Sequence, residues 1–483
     1  MRADRWLLLL PLLAACGPMA VMTRPEGNGG WTAEQRRDEL AKRAASAGVD
    51  LDATAPALPT DRPLSLSEAI ALAAGGNRRI LEAEHMLGEA GARVRLSRGR
   101  LLPNVTGEGR YTWYTDPLSN QVDFPPGVLP AGITPPIVII REQESGRVNG
   151  TVRVPLDVTG ELWKGLTAAQ AGYRGERARV WATTLAEQVA VIRAYFELLE
   201  AQRLRVVTTE RIAVQRTQLT NAQNRFDSGR LTKNELLVVQ VALRDSEQGL
   251  RRRDLAIAEA RWSLNQLIGR PVDAPTEVVD VATPPVLPST EDALRDAFAN
   301  NPLLLSLAEE QQRLDDTTSS LERGRLPRFN AGGAIDWTSE KIITPQRVGA
   351  GFVGFTWDIG TDGQREARIA EARIAADRNR IAVERELRSL ETGVRATQQA
   401  AEERLSALES AGEAVTQAEE NLRIRQQQFD AGRATSEDVL DAEALLTRQR
   451  ADLATALYQA HTRRAELQQL MGLPLDGLAA ATR

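Results

Sequence analysis

The chain repeats itself over a long interval, and that repeat limits what it can build. Arg225-Phe226-Asp227-Ser228-Gly229-Arg230-Leu231-Thr232 returns 203 residues later as Gln428-Phe429-Asp430-Ala431-Gly432-Arg433-Ala434-Thr435. The same spacing carries Leu267-Ile268-Gly269-Arg270-Pro271 onto Leu470-Met471-Gly472-Leu473-Pro474. Earlier landmarks pair as well: Pro155-Leu156-Asp157-Val158 with Thr356-Trp357-Asp358-Ile359, and Arg100-Leu101-Leu102-Pro103 with Gly324-Arg325-Leu326-Pro327. One structural unit is therefore used twice, which points to quasi-symmetric construction rather than one asymmetric catalytic pocket.

Each unit contains a stretch that only a very long helix explains. Gly160 to about Asp227 carries no proline, and neither does Gly363 to about Asp430. Nearly seventy helical residues make a rod of roughly 100 Å. Composition agrees: 26% charged and only 4% aromatic residues suit long helices better than a compact core. Such rods need a partner along their length. Return helices from Glu235 to Leu267 and from Asp438 to Leu470 supply one near the turn. Beyond the turn, the helix preceding the strands should do so, from about Ser65 to Leu101 in the first unit and from Ser289 to Leu326 in the second. Gly229 and Gly432 can end the rods in the left-handed conformation, and Thr232 with Glu235, and Thr435 with Asp438, form capping boxes for the return helices.

Between helices the period changes to two. Val105, Gly107, Gly109, Tyr111 and Trp113 alternate with Thr106, Glu108, Arg110 and Thr112. Val148, Gly150, Val152, Val154 and Leu156 alternate with Arg147, Asn149, Thr151 and Arg153. Runs of about ten residues with charges on one face read as membrane β-barrel strands, lipid on one side and water on the other. Glu108, Arg110, Arg147 and Arg153 are the candidate lumen residues. The second unit offers 329–337 and 348–357, less regularly, because Ala350 and Phe352 fall on the expected polar face. A proline-rich loop at 115–144 separates the first pair of strands. The loop of the second unit is shorter, so the repeat spacing falls from 224 before the strands to 201 after them. Trp113, Tyr114, Trp163, Trp337 and Trp357 lie near strand ends, as an interfacial aromatic belt would. A soluble two-sided sheet is the alternative. Four strands cannot close a barrel alone, so a membrane reading requires several chains.

The start of the chain supports an envelope destination. Arg2 and Arg5 precede an apolar run from Trp6 to Leu13, a secretory signal too short to span a membrane as a helix. Leu13-Ala14-Ala15-Cys16 resembles a bacterial lipobox, with Cys16 lipidated as the mature N-terminus; an incidental cysteine after an ordinary cleavage site is the alternative. Cys16 is the one cysteine, so no disulfide forms within the chain. The expected organisation is a signal peptide (1–15), a lipid-anchored leader (16–63) with one helix from Thr32 to Gly48, two repeats (64–275 and 289–474) and a tail (475–483). The strand pairs fall at 104–157 and 328–358. Net charge of -5 against 60 basic residues argues for no nucleic-acid partner.

The order helix, strand pair, long helix, Phe-x-x-Gly turn, return helix, Leu-x-Gly-x-Pro, all repeated, resembles the TolC-type outer membrane efflux protein family over Leu64 to Pro474. The resemblance implies a homotrimer that pools its strands into a twelve-stranded outer-membrane β-barrel, continued by an α-helical barrel across the periplasm. It also implies an exit duct for drugs, solvents or metals that docks on a periplasmic adaptor and an inner-membrane pump. A type I protein secretion duct is the alternative within the family. By the same resemblance the adaptor-contacting tips comprise Arg225, Phe226, Gly229, Arg230 and Leu231 in one unit. The matching set in the other is Phe429, Gly432, Arg433, Ala434, Val439 and Leu440. The bland alternative is that the phenylalanines pack the helix ends and the glycines only cap.

The family closes its periplasmic end with charged constrictions, for which Asp227, Arg423, Arg425 and Asp430 are the candidates here. A basic constriction would favour anions; solvated helix faces are the alternative. His85 and His461 read as helix-surface residues without zinc-ligand spacing. No phosphate-binding loop, nucleophile elbow or dinucleotide fingerprint is present, so neither a catalytic residue nor a cofactor is expected. Three rivals remain: a periplasmic adaptor, which would show one hairpin and two lipoyl-like halves; a lipid-anchored rod, which would not need alternating strands; and a cell-wall hydrolase, which would need a site.

Overall fold

The computed structural model describes residues 62–121, 125, 137–341, 343–360 and 363–475. The chain divides into a segment Met1–Thr54, outside the described residues, and a unit Ala55–Arg483, to which the following refers. The signal segment, Cys16, the helix expected from Thr32 to Gly48 and residues 122–124 and 126–136 of the proline-rich loop also lie outside them.

The first unit runs α1 (Leu66–Gly76), α2 (Arg78–Gly99), β1 (Asn104–Trp113), β2 (Leu118–Gln121), β3 (Ile137–Arg141), β4 (Glu144–Leu156), α3 (Glu161–Asp227) and α4 (Lys233–Leu267). The second runs α5 (Thr290–Asn300), α6 (Pro302–Arg323), β5 (Arg328–Thr338), β6 (Arg347–Thr356), α7 (Gln364–Asp430) and α8 (Ser436–Leu470). Both rods, α3 and α7, are 67 residues long, and both return helices 35.

The helix expected before each strand pair is broken in two. Asn77 ends α1 and caps α2, its side chain accepting from the Arg79 amide; Asn301 ends α5 and accepts from the amides of Leu303 and Leu304. Pro302 takes the first position of α6, where its missing N–H costs nothing. Each elbow receives the Leu-x-Gly motif of its own unit. Asn77 Nδ2 donates to Leu267 O and Asn301 Nδ2 to Leu470 O. Gly269 and Gly472 press left-handed backbone against them: a Cβ on Gly472 would lie 2.2 Å from Asn300 O, and one on Gly269 2.9 Å from Gly76 O. The motif at the end of each unit is therefore a keystone for the elbow at its start.

The sheet order is β1-β4-β5-β6, all antiparallel, so the two strand pairs join through β4 and β5. β2 and β3 pair separately, within the segment that the sequence marks only as a proline-rich loop. Register places Val105 opposite Val152, Val148 opposite Trp337, and Phe329 opposite both Leu156 and Phe355, all on one face. Most of these side chains are exposed in the single chain, Val353 and Phe355 by 78% and 63%. On the other face Phe352 is explained by its partner: its ring lies over Gly332, where a Cβ would meet Phe352 Cζ at 2.7 Å. The aromatic ring fills the space that the glycine leaves.

The rods pair as the sequence predicts near the turn, α3 with α4 and α7 with α8. Above that, α6 packs against both rods, whereas the sequence predicts only its own, and α2 packs extensively against α3. Lys164–Asp316 (2.7 Å) and Arg174–Glu309 (2.8 Å) tie α6 to α3; Asn379 Nδ2 donates to Leu307 O and ties it to α7. The main core lies where α1, α3, α4 and α8 meet, around Ile70, Leu185, Ile192, Tyr195, Phe196 and Leu264. His461 belongs to it rather than to the helix surface. It is buried, stacks on Phe196 with centroids 4.7 Å apart, and hydrogen-bonds Thr283 O at 2.9 Å. No described helix is long and apolar enough to cross a membrane.

Candidate functional site

Two surfaces carry the candidate residues: the strand face and the hairpin tips. On the sheet, the register puts Arg110 opposite Arg147, Glu108 opposite Asn149 and Asn104 opposite Arg153. Glu108, Arg110, Arg147 and Arg153 therefore share the face opposite the apolar one. The charges are partly matched. Arg110 contacts Glu108 at 3.2 Å, Arg147 contacts Glu340 at 3.4 Å, and Asn149 Nδ2 donates to Asp336 on the neighbouring strand. Glu340 is buried and also accepts from the Ser145 hydroxyl. At the exit from β4, Asp157 accepts from the amides of Leu162 and Trp163 and so caps the start of α3. Its repeat counterpart Asp358 instead offers its carbonyl to Arg365.

At the other end both turns have the same local construction. Gly229 and Gly432 adopt φ 72° and 70°, and Arg230 N and Arg433 N donate back to Arg225 O and Gln428 O. This arrangement satisfies carbonyls that the ends of the rods would otherwise leave bare. Thr232 and Glu235 form one capping box and Thr435 and Asp438 the other. The Thr232 hydroxyl holds the Glu235 carboxyl below its ordinary range, and the Thr435 amide does the same for Asp438.

The two tips are linked by Arg225. Its guanidinium carbon lies 4.3 Å from the Phe429 ring centroid, Nη2 donates to Asp430 Oδ1 at 3.0 Å, and Nη1 donates to Phe429 O at 3.5 Å. Repeat symmetry puts Gln428 at the equivalent position, so the link runs one way only. A groove of about 200 Å³ beside it is lined by Gln218, Arg225, Val239, Phe429, Asp430 and Ser436.

The tip candidates sort by depth. Gly229, Arg230, Gly432 and Arg433 are exposed; Arg225, Phe226, Leu231, Phe429 and Ala434 are half-buried. Val439 and Leu440 are buried, unlike the surface position that the resemblance implies for them. Leu440 packs with Ala222, Leu236 and Val239 and supports the turns from behind. Among the constriction candidates, Arg423 is paired with Glu420 one turn earlier (2.6 Å), which holds the guanidinium protonated. Arg425 contacts Gln428 Oε1, Asp227 accepts from Gln223, and Asp430 is engaged by Arg225. Asp227, Arg423 and Arg425 thus have partners on their own helices, and Asp430 has its partner on the other tip. No group of three metal-ligating side chains occurs among the described residues.

The family model of the outer membrane efflux protein matches residues 69–270 and 293–473, one match for each repeat. The chain belongs to the outer membrane efflux protein family. It is an outer-membrane efflux duct whose helices extend into the periplasm. The outer membrane protein TolC of Vibrio cholerae is 24% identical over 352 residues, 69% of this chain and 80% of that protein. The crystal structure of the outer membrane protein VceC from Vibrio cholerae superposes with a TM-score of 0.71 at 16% identity, over 84% of this chain and 96% of that one. The open-state MtrE channel of Neisseria gonorrhoeae gives 0.68 at 17% identity, over 84% and 89%. At such identities the superpositions speak for the fold, which is that of a β-barrel continued by a helical barrel. The matched blocks end near the two Leu-x-Gly-x-Pro motifs, so the efflux-protein repeat coincides with the elbow-to-keystone unit.

Proposed function

We propose that three copies of the chain form the exit duct of a tripartite efflux system, which exports small molecules such as drugs, solvents or metals through a periplasmic adaptor and an inner-membrane pump. The observation that carries this is the incomplete sheet. Its four strands leave β1 and β6 as bare edges while presenting an exposed apolar face. A bilayer tolerates neither bare edges nor an open sheet, and pairing β6 of one copy with β1 of the next removes both. Quasi-symmetry supports the same assembly among the helices. α6 lies between α3 and α7, whereas α2 packs extensively against α3. Leu81, Met86 and Leu96 of α2, and Ile374, Ile381 and Leu387 of α7, are exposed apolar side chains. The α2 of a neighbouring copy against α7 would repeat the α6 arrangement and bury both sets. In that ring Glu108, Arg110, Arg147 and Arg153 face the water-filled lumen.

Adaptor docking is assigned to the exposed turns around Arg230 and Arg433, with Phe226, Leu231 and Phe429 beneath them. Asp227, Arg423, Arg425 and Asp430 are assigned to the aperture, and Cys16 to the lipid anchor. The duct is passive, and its partners supply the energy. Electron microscopy of the detergent-extracted protein tests the assembly. Threefold tubes much longer than a bilayer is thick are expected, and monomeric rods or compact particles would overturn the duct. For docking, the double variant Arg230→Glu/Arg433→Glu is expected to lose export while still forming trimers; unchanged export would remove the tip assignment.

A further inference from the structure

Halfway between the tips and the main core, the contact between the two hairpins carries a carboxylate with no evident structural task. Glu443 lies on α8 and is 3% exposed, and neither carboxylate oxygen has a hydrogen-bond partner among the described residues. Across from it on α3, Arg211, Gln215 and Gln218 recur at helical spacing along one stripe. Gln215 is fully buried, and Arg211 Nε, Gln215 Nε2 and Gln218 Nε2 are likewise without acceptors. Donors and an acceptor are thus gathered in one layer without meeting hydrogen-bond geometry, and the pull of Arg211 and Gln218 on Glu443 only partly offsets the desolvation penalty.

Several charged groups of the surrounding helices are paired with one another. Arg216 of α3 is paired with Glu247 of α4, which also binds Arg244; Arg450 of α8 holds both Glu210 of α3 and Glu419 of α7. Arg211 is left as the charge whose field is felt at Glu443.

We propose that Glu443 is a proton-responsive latch between the two hairpins, which holds the tip half shut when neutral and loosens it when ionised. The layer lies between apolar packing on both sides: Ala222, Leu236, Val239 and Leu440 toward the tips, and the Tyr195–Phe196 core away from them. Ionising a buried acid in such a layer favours the conformation that hydrates it. Burial outweighs the pull of Arg211 and Gln218 and pushes the Glu443 carboxyl up to about 7. An acid whose pKa is higher in the closed state than in water takes up a proton on closing. The latch is therefore fully set below the ordinary carboxylate range and is lost as pH rises through about 7. Relative to an ordinary carboxylate in the opened seam, the open-to-closed ratio should rise about tenfold from pH 6 to pH 8.5.

The proposal rests on the duct reading for its purpose, but its test does not depend on a pore. Nitroxide labels at Asn224→Cys and Gln427→Cys, in the full chain with Cys16→Ser, report the separation of the hairpins by pulsed dipolar spectroscopy. The wild-type background is expected to gain a longer-distance population from pH 6 to pH 8.5. Glu443→Gln, neutral at every pH, should stay in the short population, as should the apolar Glu443→Met. Distances that ignore pH in the wild-type background, or shift equally in both variants, would overturn the latch. Neither result bears on whether three chains form a tube, which microscopy decides separately.

Discussion

Around residues 185–199 the contact between the two hairpins is made by Leu185, Ile192, Tyr195, Phe196, Leu198 and Leu199, nearly all fully buried, with Tyr458 and His461 packed against them. Around residues 211–226 the same two hairpins meet through Arg211, Gln215, Gln218 and Glu443, then a small apolar cluster, then the Arg225–Phe429–Asp430 link. In the polar layer the partners are again α3 and α8, so the difference there lies in side chains alone; the tip link joins α3 to α7. The apolar side chains of the upper seam pack contiguously and carry no charge to titrate or screen. Polar contacts between half-exposed groups are weak and respond to both. A seam made this way is fixed at its upper end and adjustable at its tip, which suits a duct that must stay anchored while its mouth changes.

The largest expected effect tests the fixed end. Phe196→Ala should cost about 3–5 kcal/mol, because a fully packed aromatic leaves a cavity. Thermal melting would check this, and a loss below 1 kcal/mol would mean the upper seam is not the anchor. Next, the keystone and tip glycines have nearly the same φ but different surroundings. Gly432→Ala should cost only the left-handed penalty of roughly 1–2 kcal/mol. Gly472→Ala should add about 1–3 kcal/mol of forced displacement, since its Cβ meets the Asn300 carbonyl. Equal melting shifts in the two variants would contradict the keystone.

Acid sensitivity should belong to the upper end in the opposite sense from the latch. Burial pushes the His461 imidazole down to about 4, so the folded chain holds it neutral while the unfolded chain protonates it near 6.5. Stability is full above the unfolded value and declines as pH falls from 6.5 toward 4, by about 3 kcal/mol in all. Denaturant titrations of His461→Phe should show that loss removed. A pH profile unchanged by the substitution would place the sensitivity elsewhere. The smallest thermodynamic effect is at the tip link. Arg225→Ala removes a pair in which Asp430 is 74% exposed, so global stability should change by less than about 1 kcal/mol. Label distances across the tips should nevertheless lengthen; a large melting shift with unchanged distances would reverse the assignment.

Much of this was legible in the sequence because it is local. Capping boxes, turn glycines and alternating strands depend on neighbours within a few positions, and Thr232, Gly229 and Val105 stand where their patterns place them. The breaks at Asn77 and Asn301 also had local signals, Gly75-Gly76-Asn77 and Asn301-Pro302, but the leucine- and alanine-rich flanks read as one continuous helix. The burial of His461 could have been inferred from its place in the stripe Ala454, Tyr458, His461, Ala465. By contrast, nothing local reports that α6 serves both rods, that Phe352 covers Gly332, or that Val439 and Leu440 turn inward. Each depends on a partner a long way off in the chain. The tip residues were legible as turns; which of them face outward was settled only by packing.

The equal length of α3 and α7 has a consequence for how such a protein can change. Adding one residue to a helix advances its end by about 1.5 Å and swings it by about 100°. An insertion in one rod alone would lift one turn out of level with the other and rotate Arg225 away from Phe429 and Asp430. Variation in reach is therefore expected to come in matched steps, both hairpins lengthening or shortening together and by whole turns. The duplication that built the molecule also ties the future of each half to that of the other.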